Sequence, residues 1–157
     1  GEDLHIGRYS TTKNIREDSG QAIRDMNGAL RDVKSAWRVL DLGAGYGETM
    51  RTVEKKTGCE AVCLNISETQ NEYNLGKVRA ARLADKIGIR HGVFEDVPEA
   101  DESVDVVWSQ DAFLHSDQRD QVLAEAFRVL KPGGHLIFTD PMQADDVPDG
   151  VLQPVYD

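Results

Sequence analysis

Short apolar segments recur along the chain, and each is followed by a turn and then by a stretch with helical periodicity. The apolar segments cover residues 39–43, 60–65, 90–96, 104–110 and 135–140. Helices are predicted over 13–36 and 48–58, from Ser67 to about Gly88, and from a Ser116 cap to a Pro-Gly-Gly exit. Apolar strands that alternate with helices indicate an α/β fold, a parallel sheet with helices on both faces. A ligand would lie outside the carboxyl ends of such strands.

Length and charge limit what the chain can bind. Its 157 residues suit a single domain, which we divide into an N-terminal helical segment at 1–36 and a five-strand core at 37–157. The net charge of −10 argues against nucleic acid and anionic membranes, because binding phosphates needs a basic face. No apolar run approaches the ~20 residues of a membrane span. The first residues lack the layout of a signal peptide, so a cytoplasmic setting is expected.

A glycine turn (residues 43–47) follows the first predicted strand. Its three glycines have G-x-G-x-G spacing, which lets the backbone turn tightly and lets a ligand approach. A dinucleotide-binding turn has glycine or alanine at its sixth position, whereas this chain has Glu48. An acid that opens the helix repels a pyrophosphate, so NAD is disfavoured. S-adenosylmethionine fits better, because it has an adenosine group and a positive centre but no phosphate.

Polar residues also follow the second and third predicted strands. Asn65 ends the second, where its amide can bind ribose hydroxyls or simply start the turn into the Ser67 cap. Asp96 follows the third, where it can accept a hydrogen bond from an adenine amino group while the backbone of Val97 meets a ring nitrogen. For the neighbouring Glu95, a solvated acidic turn is the competing interpretation.

Gln110 ends the fourth predicted strand and His115 follows it, and both are expected to lie beside the methyl donor. His115 is a candidate general base, although a histidine next to a helix cap more often has a packing role. Cys59 and Cys63 flank a strand-like stretch, so we expect both to be buried as small hydrophobic residues and predict no metal site.

Four stretches of the chain carry a family resemblance, namely "VLDLGAGYGE", "CLNISETQNEYN", "VWSQDAFLH" and "VLKPGGHLIFTDPMQADD". Together they resemble class I S-adenosylmethionine-dependent methyltransferases. More narrowly, they are similar to the sarcosine/dimethylglycine N-methyltransferases that make glycine betaine. In that family asparagine replaces the usual ribose-binding acid, so Asn65 matches its pattern.

The resemblance implies a Rossmann-like core, S-adenosylmethionine as cofactor and a small-molecule amine as substrate. It implies that Tyr9 closes over the methionine part of the cofactor. The residues expected to bind the cofactor are Tyr9, Asp41, Gly43, Ala44, Gly45, Asn65, Ile66, Gln70, Glu95, Asp96, Val97 and Gln110. Gln110 and His115 are the expected catalytic residues, which orient the amine or remove its proton. Pro141, Met142 and Gln143 are expected to shape the acceptor pocket.

The resemblance also implies features that this chain lacks. Class I methyltransferases normally have seven strands, so with five predicted here the C-terminal strands are expected to be missing. The fifth strand would then lie at an uncovered edge, which favours a homo-oligomer. Two alternatives stay open beside an active enzyme: a non-catalytic module that binds S-adenosylmethionine or S-adenosylhomocysteine, and a methyltransferase for another small-molecule acceptor.

Overall fold

The computed structural model describes residues 33–140 together with Gly28. The elements in this range are β1 (Arg38–Leu42), α1 (Glu48–Thr57), β2 (Glu60–Asn65), α2 (Glu68–Ala80), β3 (Ile87–His91), β4 (Val104–Gln110), a 3-10 turn (Phe113–His115), α3 (Arg119–Val129) and β5 (Leu130–Thr139). The predicted helical segment at 13–36 lies almost entirely outside the described residues, and so do Tyr9 and the predicted acceptor residues 141–143.

The five strands form one sheet in the order β3-β2-β1-β4-β5, and all four pairings are parallel. The parallel α/β fold predicted from the strand pattern is therefore confirmed. β1 lies in the centre, where Val39, Leu40 and Leu42 are fully buried. The chain leaves β1 towards β2 and later returns to pair β4 on the other side of β1. Ligands bind at such a reversal of strand order, outside the carboxyl ends of the strands.

Helices cover both faces of the sheet. On one face, Met50 and Val53 of α1 and Val78 of α2 pack with Val39 and Trp108 of the sheet. On the other face, apolar residues of α3 (Val122, Ala126 and Val129) pack with Leu40, Leu42 and Val107. No helix in the described part of the chain is long and apolar enough to cross a bilayer.

The boundaries of α2 and β3 differ from the prediction. α2 ends at Ala80 rather than near Gly88, and β3 occupies Ile87–His91 rather than 90–96. Gly88 looks like a helix stop in the sequence, but in the structure it lies within a strand. The reason is long-range pairing, because Ile87 and Ile89 pair with residues of β2. Residues 93–96 instead form a turn closed by one isolated bridge between Val93 and Asp96.

The start of α3 also differs. The sequence predicts Ser116 as its cap, whereas the helix begins at Arg119 with Gln118 as the N-cap residue. The Ser116 hydroxyl accepts a hydrogen bond from the Gln118 N–H at 3.0 Å and donates one to the Glu95 carboxylate. Ser116 therefore ties the loop before α3 to the turn after β3.

Candidate functional site

A cavity of about 300 Å³ opens at the carboxyl ends of β1, β2 and β4. Its lining comes from four segments: the end of β1 with the glycine turn and the start of α1, the β2–α2 junction, the loop after β3, and the end of β4 with the turn that follows. The volume is at the lower end of the ~300–1,000 Å³ of small-molecule sites.

The glycine turn is tied to the neighbouring strand. The N–H groups of Gly43 and Ala44 donate to the Leu64 carbonyl at 2.9 and 3.1 Å, and the Gly47 N–H donates to the Ala44 carbonyl at 2.8 Å. Gly43, Gly45 and Gly47 have φ angles of 84°, 52° and 70°, which side chains rarely permit. The turn therefore brings bare backbone to the cavity wall, as the glycine spacing predicts.

Asn65 and Gln70 form a hydrogen-bonded pair of amides at the cavity. The Asn65 side-chain nitrogen donates to Gln70 Oε1 at 2.8 Å. The Gln70 N–H meanwhile donates to the Ser67 hydroxyl at 3.4 Å, so Ser67 caps α2 as predicted. Asn65 therefore lines the cavity and also connects to the start of the helix, and its binding to ribose hydroxyls stays a prediction.

The end of β4 presents unpartnered polar atoms to the cavity. Both amide atoms of Gln110 and the indole nitrogen of Trp108 are buried and have no hydrogen-bond partner among the described residues. Both side chains line the cavity. Because buried polar groups in native proteins nearly always have partners, this arrangement fits a polar ligand that both donates to and accepts from Gln110.

The charges around the cavity favour a cation. Three of its lining residues, Asp41, Glu48 and Asp111, are acids, and none of the lining residues in the described range is lysine or arginine. Glu48 is the first residue of α1 and occupies the helix N-terminus, where a phosphate would otherwise be held. The residue types therefore fit the sulfonium of S-adenosylmethionine and do not fit a pyrophosphate.

Asp140 lies directly after β5, close to His115 and Asp111. Burial raises the pKa of the Asp140 carboxyl and Asp111 raises it further, while a hydrogen bond from the Leu114 N–H and the charges of Arg119 and His115 oppose the rise. The net direction is upward, so this carboxyl holds its proton more tightly than an exposed aspartate does.

Most of the predicted cofactor-binding residues meet at the cavity. The nine that line it, counting the two expected catalytic residues, are Asp41, Gly43, Ala44, Gly45, Asn65, Ile66, Gln70, Gln110 and His115. His115 lies on the 3-10 turn and is exposed, which leaves its ring at the rim.

The three residues predicted after β3 are not brought to the cavity. The Val97 N–H, expected to meet an adenine ring nitrogen, instead donates to Glu125 Oε2 at 2.8 Å, and Val97 is buried. The Glu95 carboxylate accepts from Ser116, and Asp96 is exposed outside the lining. Phe94 lines the cavity from this loop.

Several lining residues were absent from the predicted set, among them Tyr46, Thr49, Phe94 and Ala112. Tyr46 lies inside the glycine turn and Thr49 lies two residues after it. Their closeness to the glycines in the sequence could therefore have indicated that they line the cavity. Phe94 has no such signal, because its place depends on how the loop after β3 folds.

Cys59 and Cys63 are both buried and free, as expected. Burial raises the pKa of the Cys63 thiol, and the nearby Asp41 raises it further. In the described part of the chain, no group of three or more His, Cys, Asp or Glu side chains is placed to hold a metal ion.

Comparison with known proteins identifies the family. Residues 40–138 match the protein family described as "Methyltransferase domain". The chain belongs to this methyltransferase family. The resemblance to methyltransferases seen in the four sequence stretches is therefore confirmed. Membership of this family also supports S-adenosylmethionine, the cofactor that the resemblance implies.

Individual relatives are narrower in function. The chain is 46% identical to a sarcosine/dimethylglycine N-methyltransferase of Halorhodospira halochloris, over all of this chain and 57% of that protein. It is 47% identical to the enzyme of the same name from Aphanothece halophytica, over 99% of this chain and 56% of that protein. The chain thus spans somewhat more than half the length of these curated relatives.

A solved structure agrees with the fold. A protein from Galdieria sulphuraria, described as a candidate sarcosine dimethylglycine methyltransferase, superposes with a TM-score of 0.86 at 39% identity. The match covers 99% of this chain and 61% of that one. The Rossmann-like class I methyltransferase fold is thereby confirmed, and the chain is short relative to its relatives, as the resemblance implied.

Proposed function

We propose that this chain carries the S-adenosylmethionine site of an N-methyltransferase whose acceptor is sarcosine or dimethylglycine. The observation that carries the proposal is the cavity at the carboxyl ends of β1, β2 and β4, with its acidic lining and the unpartnered Gln110 amide. The names of relatives at 46% and 47% identity support this choice of acceptor.

Different parts of the described cavity can contact different parts of the cofactor. The backbone of the glycine turn can approach the ligand closely, and the Asn65–Gln70 amide pair offers hydrogen bonds to ribose hydroxyls. Ile66, whose side chain is 65% exposed, and Phe94 offer apolar surface suited to an adenine ring. When bound, S-adenosylmethionine would supply an electrophilic methyl group on a positively charged sulfur.

The end of β4 and the 3-10 turn would orient the acceptor. Methyl transfer to an amine depends mainly on alignment and on a favourable charge distribution, and the amine must be unprotonated. We assign Gln110 to orienting the acceptor amine beside the cofactor, because its buried amide lacks a partner within the described range. We assign His115 to accepting the amine proton at the rim, where its exposed ring can pass the proton to water.

Pro141, Met142 and Gln143 stay the predicted acceptor-binding residues, and Tyr9 stays the predicted lid over the methionine part. All four lie outside the described residues. The division at residue 36 and the cytoplasmic setting likewise stay predictions.

Calorimetric titration tests the cofactor site. The chain should bind S-adenosylhomocysteine and show no heat of binding with NAD, because Glu48 occupies the helix N-terminus. Gln110→Leu should weaken S-adenosylhomocysteine binding by roughly tenfold, since the polar groups of the ligand lose the hydrogen bonds of the Gln110 amide. Gln118→Leu is the matched control, because Gln118 lies nearby but outside the cavity lining.

A methyl-transfer assay on the same sample tests the activity. Turnover with sarcosine and dimethylglycine would support the enzyme, whereas cofactor binding without turnover on either amine would favour a non-catalytic module. NAD binding that excludes S-adenosylhomocysteine would overturn the proposal altogether.

We also propose that the chain forms a homo-oligomer through β5. In the described range, β5 pairs only with β4, and Phe138 at its end is 48% exposed. An exposed strand edge favours pairing with another chain. Sedimentation at micromolar concentration should show a dimer or larger species, and a single monomeric boundary would contradict this.

A further inference from the structure

We propose that Arg51 and Asn74 are positioning residues that hold the glycine turn in its ligand-binding shape. We name the Arg51 side chain, the Tyr46 carbonyl and the Asn74 side chain the Arg51 clamp. The inference rests on the proposed function, because the turn it fixes lines the proposed cofactor site.

Arg51 connects the turn to a second helix. It lies on α1 and is only 8% exposed. Its Nη1 donates to the Tyr46 carbonyl at 2.6 Å and to Asn74 Oδ1 at 2.6 Å. Tyr46 lies inside the glycine turn and lines the cavity. A single buried guanidinium nitrogen therefore binds both the turn and α2.

Asn74 closes the space beneath the end of the turn. It is fully buried on α2, and a Cβ added at Gly47 would lie 2.0 Å from its amide nitrogen. The turn thus packs directly against this side chain. Tyr46 and Tyr73 add an edge-to-face ring contact, with centroids 5.2 Å apart. Because Arg51 orients the Asn74 amide, it also fixes the surface on which the turn lies.

The same helix supports the other side of the cavity. α2 begins at the Ser67 cap, and its Gln70 side chain accepts a hydrogen bond from Asn65 at the cavity wall. One helix therefore contacts both the ribose side, through Gln70, and the glycine turn, through Asn74. A loss of the clamp would change the distance between these two sides without removing any group that contacts the ligand.

The charge of Arg51 also matters beneath the cavity. Burial and Asp41 raise the pKa of the Cys63 thiol, and the nearby Asn74 and Arg51 oppose this rise. Arginine holds its donors in a fixed plane, whereas the lysine ammonium is a compact charge on a flexible stem and does not reproduce that geometry.

Hydrogen exchange in the ligand-free protein tests the clamp itself. Arg51→Met keeps the side-chain length but removes both hydrogen bonds, and it should speed exchange at the Ala44 and Gly47 amides. Arg51→Lys should give an intermediate rate. Val53→Ala is the matched control, because Val53 is a buried core residue of the same helix. It should lower the urea midpoint yet leave the turn amides protected.

Titration with S-adenosylhomocysteine tests the consequence for binding. Arg51→Met should raise the Kd by roughly tenfold or more, because a turn that must be ordered on binding costs affinity. Arg51→Lys should recover part of this loss, and Val53→Ala should bind as the unaltered chain does.

The outcomes separate the inference from the proposed function. Unchanged exchange at the turn amides in Arg51→Met, or binding lost equally in Val53→Ala, would overturn the clamp. If the unaltered chain fails to bind S-adenosylhomocysteine, the proposed function is wrong, while the exchange rates still decide whether Arg51 orders the turn.

Discussion

At Gly43 the loop after β1 comes very close to the loop after β4. A Cβ added there would lie 2.4 Å from the Cβ of Ala112, which follows β4. The φ angle of 84° is also unfavourable for any residue with a side chain. The loop after β1 and the loop after β4 can therefore approach only because this position lacks a side chain.

Replacing Gly43 tests this close approach. Gly43→Ala should lower the free energy of unfolding by about 2–4 kcal/mol, from backbone strain and steric overlap together. It should also abolish S-adenosylhomocysteine binding. In the double variant, Ala112→Gly should recover the stability lost to steric overlap between the two Cβ atoms. It should not recover the stability lost to the unfavourable φ angle at residue 43. Urea unfolding and titration of the single and double variants measure both parts.

Gly76 provides the matched control for this glycine. It lies within α2, and nothing is within 4 Å of an added Cβ. Gly76→Ala should stabilise the protein by about 0.5–1 kcal/mol, since glycine is unfavourable in a helix interior. If Gly43→Ala behaved in the same way as Gly76→Ala, the close packing at Gly43 would be disproved.

Individual site residues were predictable where their position depends only on the neighbouring strand. Gly43 directly follows β1, and Asn65 and Gln110 are the last residues of β2 and β4, so a correct strand assignment places all three at the cavity. Val97 was not predictable in this way, because its N–H binds Glu125 at a sequence separation of 28. A residue whose role depends on such a distant partner cannot be assigned from neighbouring letters.

At the scale of elements, α3 holds the loop between β3 and β4. Arg128 donates to the carbonyls of Val97 and Glu99 at 2.8 and 2.9 Å, and it pairs with the Glu125 carboxylate at 2.7 Å. Glu125 in turn accepts from the Val97 N–H. This helix therefore fixes the loop that carries Phe94 to the cavity.

Acid should release this anchor. The hydrogen bond from Arg128 lowers the pKa of Glu125, although burial opposes the shift, and the Val97 N–H lowers it further. Because the folded pKa lies below the unfolded value of about 4.3, the carboxylate stabilises the fold above that pH. The stabilisation is lost as the pH falls through this value towards the folded pKa.

Glu125→Gln should therefore cost about 1–2 kcal/mol at pH 7, and the difference from the unaltered chain should stay constant down to about pH 5 and shrink as the pH falls below about 4. Urea unfolding across this range measures the difference. Glu72→Gln, at an exposed position on α2, is the control and should leave the curve unchanged. A Glu125→Gln difference that stayed constant with pH would refute the anchor.

The elements themselves show where sequence patterns suffice. The central strands β1, β2 and β4 are apolar nearly throughout, and their predicted positions agree with the structure within a residue. β3 lies at the sheet edge, where half-exposed residues weaken the apolar pattern of a strand. In the sequence, Gly88 suggests the end of a helix and not the interior of a strand. Pairing with β2 then sets its register, and local sequence does not contain that information.

At the scale of the whole molecule, the fold was predictable because the order of strand, turn and helix repeats with little variation. The shape of the cavity was less predictable, because it depends on how four separate segments of the chain are placed relative to one another. The acidic character of the cavity agrees with the net charge of −10, yet only the structure shows that the three acids meet without a lysine or arginine in the described lining.

The order of the strands in the sheet also indicates the order in which they come together during folding. β1, β2 and β3 are neighbours in sequence and in space, whereas the Ser109 hydroxyl of β4 reaches the Leu42 carbonyl of β1 across 67 residues. Long-range pairings form slowly, and a chain folds while it is being synthesised. We expect contacts among β1, β2 and β3 to form before β4 joins the sheet. The cofactor, whose cavity also needs β4, can then stabilise only the last stage of folding.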